Sequence, residues 1–205
     1  MVATLIMSRQ WSGDHVAEGR VDRDLVERAR SGDQEAFADL VHQVSDTLLG
    51  IARRILRDPG LAEDVLQNAL LTIWRKLPHL RDADAFDGWA YRILVHACYA
   101  EAPRNRRWAS TVRSLPTALA NDLDDIQKVS DRDELEQAFR LLPLDQRAVF
   151  VLHHHVGLPL VAVAETLGIP DGTARSRLHY ATRALRAAFD QTRASDTEMR
   201  QGRPA

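Results

Sequence analysis

Between residues 37 and 55 the apolar side chains Phe37, Leu40, Val41, Val44, Leu48, Ile51 and Ile55 recur at steps of three and four. That spacing lays one apolar stripe along a helix roughly 35 Å long at about 1.5 Å per residue, and it is incompatible with the two-residue alternation of a strand. A helix of that length must bury its stripe against other helices. Glycine and proline number 10 and 8 in 205 residues and aromatics are 6%, which disfavours a turn-dense sandwich of aromatic strands. Apolar residues at 45% and charged residues at 27% suit a globular chain with a buried core and exclude collagen-like and wholly disordered classes. The length fits one large domain or two small ones.

Helical spacing continues on both sides of that segment. It predicts a short helix over 22–30 stopped by Ser31-Gly32, and the long helix from about Asp33 to Leu56, ended by Asp58-Pro59-Gly60. A third helix over 61–76 carries Val65, Ala69, Ile73 and Leu77, and Pro78 stops it. After a polar loop over 79–84, a fourth begins near Ala85 with Phe86, Ala90, Ile93, Leu94 and Ala97 inward. Pro103 is expected to kink or end that helix, since an interior proline removes a donor and costs about 3 kcal/mol. The second half is expected to hold helices over 134–142, 144–156, 160–167 and 173–189, punctuated by Pro143 and Gly157. The chain therefore reads as all-α: two small helical domains, 21–108 and 134–190, joined by a flexible linker over 109–133. An N-terminal extension, 1–20, and a polar C-terminal tail, 191–205, are expected to lack stable structure.

Net charge is −2, but its distribution is uneven. Residues 104–107 hold three arginines, and residues 173–189 hold Arg175, Arg177, Arg183 and Arg186, both without an acid. Residues 109–137 carry seven acids against three bases. Two basic surfaces flanking an acidic connector point toward a polyanionic partner. The single cysteine, Cys98, excludes an internal disulfide and fits a reducing cytoplasm. The apolar stretch Met1–Met7 is far too short to span a bilayer, so no membrane insertion is expected.

The segment 160–178 places two helical patterns around Gly168-Ile169-Pro170. Glycine permits a left-handed turn, Ile169 plugs the angle between helices, and Asp171 can cap the next one. This is a helix-turn-helix pattern. In its second helix Ala174, Leu178, Ala181, Leu185 and Ala188 share one face, while Ser176, His179, Tyr180 and Arg183 share the other, with Arg175 and Arg186 at its margins. A polar, arginine-bordered helix face suits the DNA major groove. The plainer reading is a helical hairpin whose arginines only solvate a surface.

Leu61-Ala-Glu-Asp-Val-Leu-Gln-Asn-Ala-Leu-Leu-Thr-Ile-Trp, followed by Phe86-Asp-Gly-Trp-Ala-Tyr-Arg-Ile, resembles the region-two helices of bacterial sigma factors of the extracytoplasmic-function group. Leu142-Pro143, Arg147-Ala-Val-Phe150-Val-Leu152 and the run from Ala164 to Leu185 resemble their region four. The resemblance implies a promoter-recognition subunit that binds RNA polymerase core (β′ and β subunits) and promoter DNA, leaving room for an anti-sigma factor as a further partner. It assigns Glu63, Asp64, Leu66, Gln67 and Asn68 to docking on the β′ coiled coil. It assigns Arg81–Asp87 to capture of a base flipped from the minus-ten element, with Arg81, Asp82, Asp84, Phe86, Trp89, Arg92, His96, Arg104, Arg106 and Arg107 lining or flanking the separated strand. Thr173, Arg175, Ser176, Arg177, His179, Tyr180 and Arg183 match the helix that reads the minus-thirty-five element. Asn68 stands where the family usually has an acid.

Plainer expectations sit beside these. Trp74 and Trp89 fall at helical spacing and read first as core packing. His153-His154-His155 cannot easily share one metal ion, because successive helix residues point about 100° apart. A stand-alone helix-turn-helix regulator would explain the second half but gives the first no purpose. An all-α hydrolase lacks any nucleophile, phosphate-loop or zinc-spacing motif here, so neither catalysis nor a cofactor is expected.

Overall fold

The computed structural model describes residues 21–112, 138–139 and 141–201, with side chains outside 103–112, 189 and 191–201. The expected extension 1–20 and most of the linker lie outside the described residues. Every regular element among them is helical.

Three aspartates set the starts of the first three helices. Asp22 caps α1 (Arg23–Arg30) by accepting from the Asp24 amide. Asp33 caps α2 (Gln34–Leu56) through the Ala36 amide, and Asp58 caps α3 (Pro59–Lys76) through the Leu61 amide, each at 3.0 Å. Such caps are worth about 1 kcal/mol each. The long helix ends at Leu56 as expected, and Pro59 and Gly60 also begin the next helix, two residues ahead of its expected start. Proline's missing N–H and preset φ suit a first turn, and α2 is closed by Arg57 in the left-handed region at φ 60°. The polar loop after α3 contains two short 3-10 turns, Leu77–His79 and Ala83–Ala85.

Helix α4 (Phe86–Val112) runs on through Pro103, so the expected stop there is not observed and the expected linker start at 109 is still helical. The helix is anchored ahead of the proline by buried Leu94, Val95 and Cys98. The Arg-Asn-Arg-Arg-Trp-Ala stretch beyond it is mostly good helix-forming sequence, so one lost hydrogen bond is absorbed.

In the second half, α5 (Leu144–Phe150) passes into a single π-helical turn, Val151–His155, where the continuous helix to Val156 was expected. The turn is closed by the Val156 amide donating to the Val151 carbonyl at 3.1 Å. Helix α6 (Leu160–Leu167) matches its expected span. Helix α7 runs from Asp171 to Gln201, well past the expected end at 189, so part of the polar tail is helical.

Helices α1–α4 pack in sequence, with α2 also against α4; α7 packs across α5 and α6. The inner face of α2 is Ala36, Leu40, Val44, Leu48, Ile51, Ala52 and Ile55, with Phe37 only half-buried. The two halves also meet: α6 lies on α4, and α5 and the π turn lie on α2. Buried Leu48, Ile51, Leu94, Leu152 and Val163 thus belong to one continuous core.

Candidate nucleic-acid interface

The helix-turn-helix is built as its sequence implies. Gly168 ends α6 at φ 65°, its amide donating to the Glu165 carbonyl at 3.2 Å, and the Ile169 amide reaches the Ala164 carbonyl at 3.0 Å. These bonds satisfy the last carbonyls of α6 and fold half-buried Ile169 back onto the core. Asp171 is the first residue of α7, where its charge complements the helix dipole, rather than the residue outside it. The Pro170 carbonyl accepts from the Thr173 amide at 2.9 Å.

Ala174, Ala181 and Leu185 are buried and Leu178 is half-buried, so the opposite side of α7 faces outward. There Arg175, Ser176, His179, Tyr180, Arg183 and Arg186 are exposed, and Thr173 is half-exposed. His179 and Tyr180 meet edge-on with ring centres 5.8 Å apart. A shallow groove runs along His179, Thr182, Arg183 and Arg186. Arg177 departs from this set: it is half-buried and its Nε pairs with Asp145 of α5 at 3.0 Å, which turns its charge toward the protein.

The loop ahead of α4 is held at both ends by α1. Arg30 Nη1 donates to the Leu80 carbonyl at 3.0 Å and the Arg81 carbonyl at 3.3 Å. Arg23 Nη1 pairs with Asp84 at 2.9 Å, and Glu27 and Asp84 together hold the Arg23 guanidinium above its ordinary pKa. Asp82 accepts from the Asp84 amide at 3.0 Å. Ala83 and Phe86 are buried and plug the loop to the core, leaving Arg81, Asp82, Asp84 and Ala85 exposed above. Phe86, at 1% exposure, is the floor of the loop and presents no ring face to a base. Trp89 is half-buried with its ring centre 6.0 Å from that of Phe86, so it combines packing with an accessible edge. Arg92 and His96 are exposed on α4. Positions 104, 106 and 107 fall in the last turns of α4, and their side chains lie outside the described residues.

On α3, Asp64, Gln67 and Asn68 are exposed, Leu66 is half-buried, and Glu63 pairs with Arg53 of α2 at 2.9 Å. Leu71 and Trp74, one to three turns further, are 53% and 41% exposed and continue the same stripe. Trp74 is therefore not a core residue; one edge packs on Phe37 at 4.5 Å between ring centres and the rest is open. Sequence reasoning missed Leu71 as part of this face, although its seven-residue step from Asp64 is readable. It also missed Arg23 and Arg30, for which no local signal exists.

Residues 40–108 match the model of sigma-70 region 2, and residues 132–185 match that of sigma-70 region 4. The RNA polymerase sigma-H factor of Pseudomonas aeruginosa is 31% identical over 180 residues, spanning 82% of this chain and 93% of that protein. The chain belongs to the extracytoplasmic-function sigma factors. The sigma-E factor of Escherichia coli K12 is also 31% identical, over 83% of this chain and 95% of its own length. Among solved structures, that of CnrH in complex with the cytosolic domain of CnrY is similar, with TM-score 0.60 and 25% identity over 83% of this chain and 97% of that one. As an RNA polymerase sigma factor, the protein directs transcription initiation. Among the described residues, no helix is long and apolar enough to cross a membrane, and no trio of His, Cys, Asp or Glu is grouped to hold a metal ion.

Proposed function

We propose that this sigma factor uses three separate faces in turn. The α3 stripe, Asp64, Gln67 and Asn68 with Glu63 and half-buried Leu66, docks on the β′ coiled coil of core polymerase, and Leu71 and Trp74 extend its apolar part. The loop 81–87 receives a base flipped from the minus-ten element: Asp82 and Asp84 supply polar atoms, Phe86 supports them from below, and Trp89, Arg92, His96 and the arginines at 104, 106 and 107 follow the strand. Helix α7 reads the minus-thirty-five element through Thr173, Arg175, Ser176, His179, Tyr180 and Arg183, with Arg177 serving as a strut to α5 instead. In this reading residues 21–108 form region two, 109–133 the acidic linker, and 134–190 region four, which also contacts the β subunit. The protein works in the cytoplasm beside core polymerase, carries no reaction itself, and is open to an anti-sigma partner.

The observation that carries the reading is the stapled loop. Two arginines of α1 hold 80–84 open above a buried floor, a construction a connector would not need. Flipping a base costs a few kcal/mol, which a preformed polar pocket offsets. The test is transcription from a matched promoter with purified core polymerase. The chain should support promoter-dependent initiation, and Asp64→Arg with Gln67→Arg should abolish co-elution with core while the far-ultraviolet spectrum stays helical. Unchanged co-elution would remove α3 as the docking face.

A further inference from the structure

Arg23 and Arg30 lie seven residues apart in α1, so they leave the same side of the helix about 10 Å from each other. That side meets the loop ahead of α4, where α1 rests on both 3-10 turns. Half-buried Arg30 donates from Nη1 to the Leu80 carbonyl at 3.0 Å and to the Arg81 carbonyl at 3.3 Å, which fixes two successive peptide planes. Arg23 acts as a fork. Its Nε donates to Glu27, one turn further along α1, at 2.9 Å, and its Nη1 pairs with Asp84 Oδ2 at 2.9 Å. The Asp84 amide is held as well, donating to Asp82 Oδ1 at 3.0 Å, so that one residue has its backbone and its carboxylate tied to different partners.

The loop does not depend on these bonds to stay on the protein. Leu77, Leu80, Ala83 and Phe86 are buried and pin it to the core. What the arginines fix is the rim above those anchors, the exposed Arg81, Asp82 and Asp84. A carboxylate has about four acceptor directions, so the bond from Arg23 aims Asp84 without consuming it. An exposed side chain left untied visits several rotamers, and a hydrogen bond weakens steeply once donor and acceptor lose alignment. Both arginines also precede residues 40–108, the part that matches region 2.

We propose that Arg30 and Arg23 are positioning residues for base selection: Arg30 holds the backbone at Leu80 and Arg81, and Arg23, steadied by Glu27, aims the Asp84 carboxylate, so that α1 sets how sharply the loop discriminates among bases. This assignment rests on the base-capture function proposed above for residues 81–87.

The experiment offers holoenzyme, made from the full chain and core polymerase, a pool of forked DNA fragments randomised over the single-stranded minus-ten segment, and sequences the fragments that bind. The wild-type protein should enrich one base at one position. Arg30→Gln and Arg23→Gln should lower that enrichment by about tenfold, the scale of one good base contact, while recovery of the whole pool changes little and helical content is kept. Arg30→Lys, which keeps a donor beside the two carbonyls, should retain more of it than Arg30→Gln. Glu27→Gln, which lets Arg23 swing, should fall between wild type and Arg23→Gln. Enrichment is a ratio, so a general loss of phosphate binding cancels from it. Because the Arg23–Asp84 pair is exposed, raising salt from about 0.05 to about 0.5 M should bring wild-type enrichment down toward the Arg23→Gln level. Unchanged enrichment in both glutamine variants overturns the assignment, and so does a loss of binding that is equal for all sequences, which marks a purely structural role. Should Arg30→Gln fail to fold, Arg23→Gln, at an exposed position, decides alone. A wild-type protein that enriches no base removes the base-capture function itself, and this assignment with it.

Discussion

Arg23 and Arg30 shape a loop fifty and more residues away from them in sequence. The Arg23–Asp84 pair is exposed and screened by water, so what it supplies is position more than stability, together with the two carbonyls held by Arg30. Arg177 and Arg183 show the opposite lesson, since they sit six residues apart on one helix and do different work. Arg177 is tied to Asp145, while Arg183 stands exposed in the groove beside His179. Arg183→Ala should therefore weaken duplex promoter binding by about 1–3 kcal/mol with relaxed preference at one base position if it touches a base edge. A uniform loss with a shallower salt slope would mark a phosphate contact, and binding unchanged in a salt titration would return this face to plain solvation. In the sequence the spacing placed Arg183 on the polar face, and the resemblance alone added Arg177; nothing local showed its turn inward, because Asp145 lies on another helix.

At the scale of elements, helix existence and spacing were legible and several ends were not. The alternation of three and four gave α2 its length, and Leu160–Leu167 matched because proline and glycine bracket it. Pro59 follows the end of α2 as expected but also opens α3, and Pro103, expected to kink or end α4, does not end it: proline's effect depends on where in a helix it falls and on what packs around it. At the first position of α3 its missing donor costs nothing, and in α4 the fold tolerates the defect. Because α4 continues past it, Pro103→Ala should restore one backbone donor and raise local stability by up to about 3 kcal/mol. Slower amide exchange over 104–112 would report the gain, and unchanged or faster exchange there would show that the proline is not a defect of this helix. The π turn had no sequence signal at all, since Val-Leu-His-His-His is equally compatible with a regular helix.

At the scale of the whole molecule, the halves share one core, Leu48, Ile51 and Leu94 on one side with Leu152 and Val163 on the other. Elements that bury a common apolar surface gain or lose it together. At pH 7.5 calorimetry should accordingly give a single unfolding transition, and Leu152→Ala, which empties a fully buried site, should lower its free energy by about 2–5 kcal/mol without splitting it. Two separate transitions in the unmodified protein would mean that the halves are thermodynamically independent at that pH.

The sequence by itself determined that the chain is helical, that it carries a helix-turn-helix, and which faces are polar, because all of these depend on spacing within about ten residues. Its resemblance to sigma factors rested on two local motifs in order, and comparison with known proteins bore that family out. The tertiary structure alone decided that α1 holds the loop before α4, that Arg177 turns inward to Asp145, and that Trp74 packs one edge on Phe37 and is left half open. Each of those joins residues dozens of positions apart. Their partners are selected by how helices pack, and packing depends on the shape and volume of the whole core, which no local period encodes.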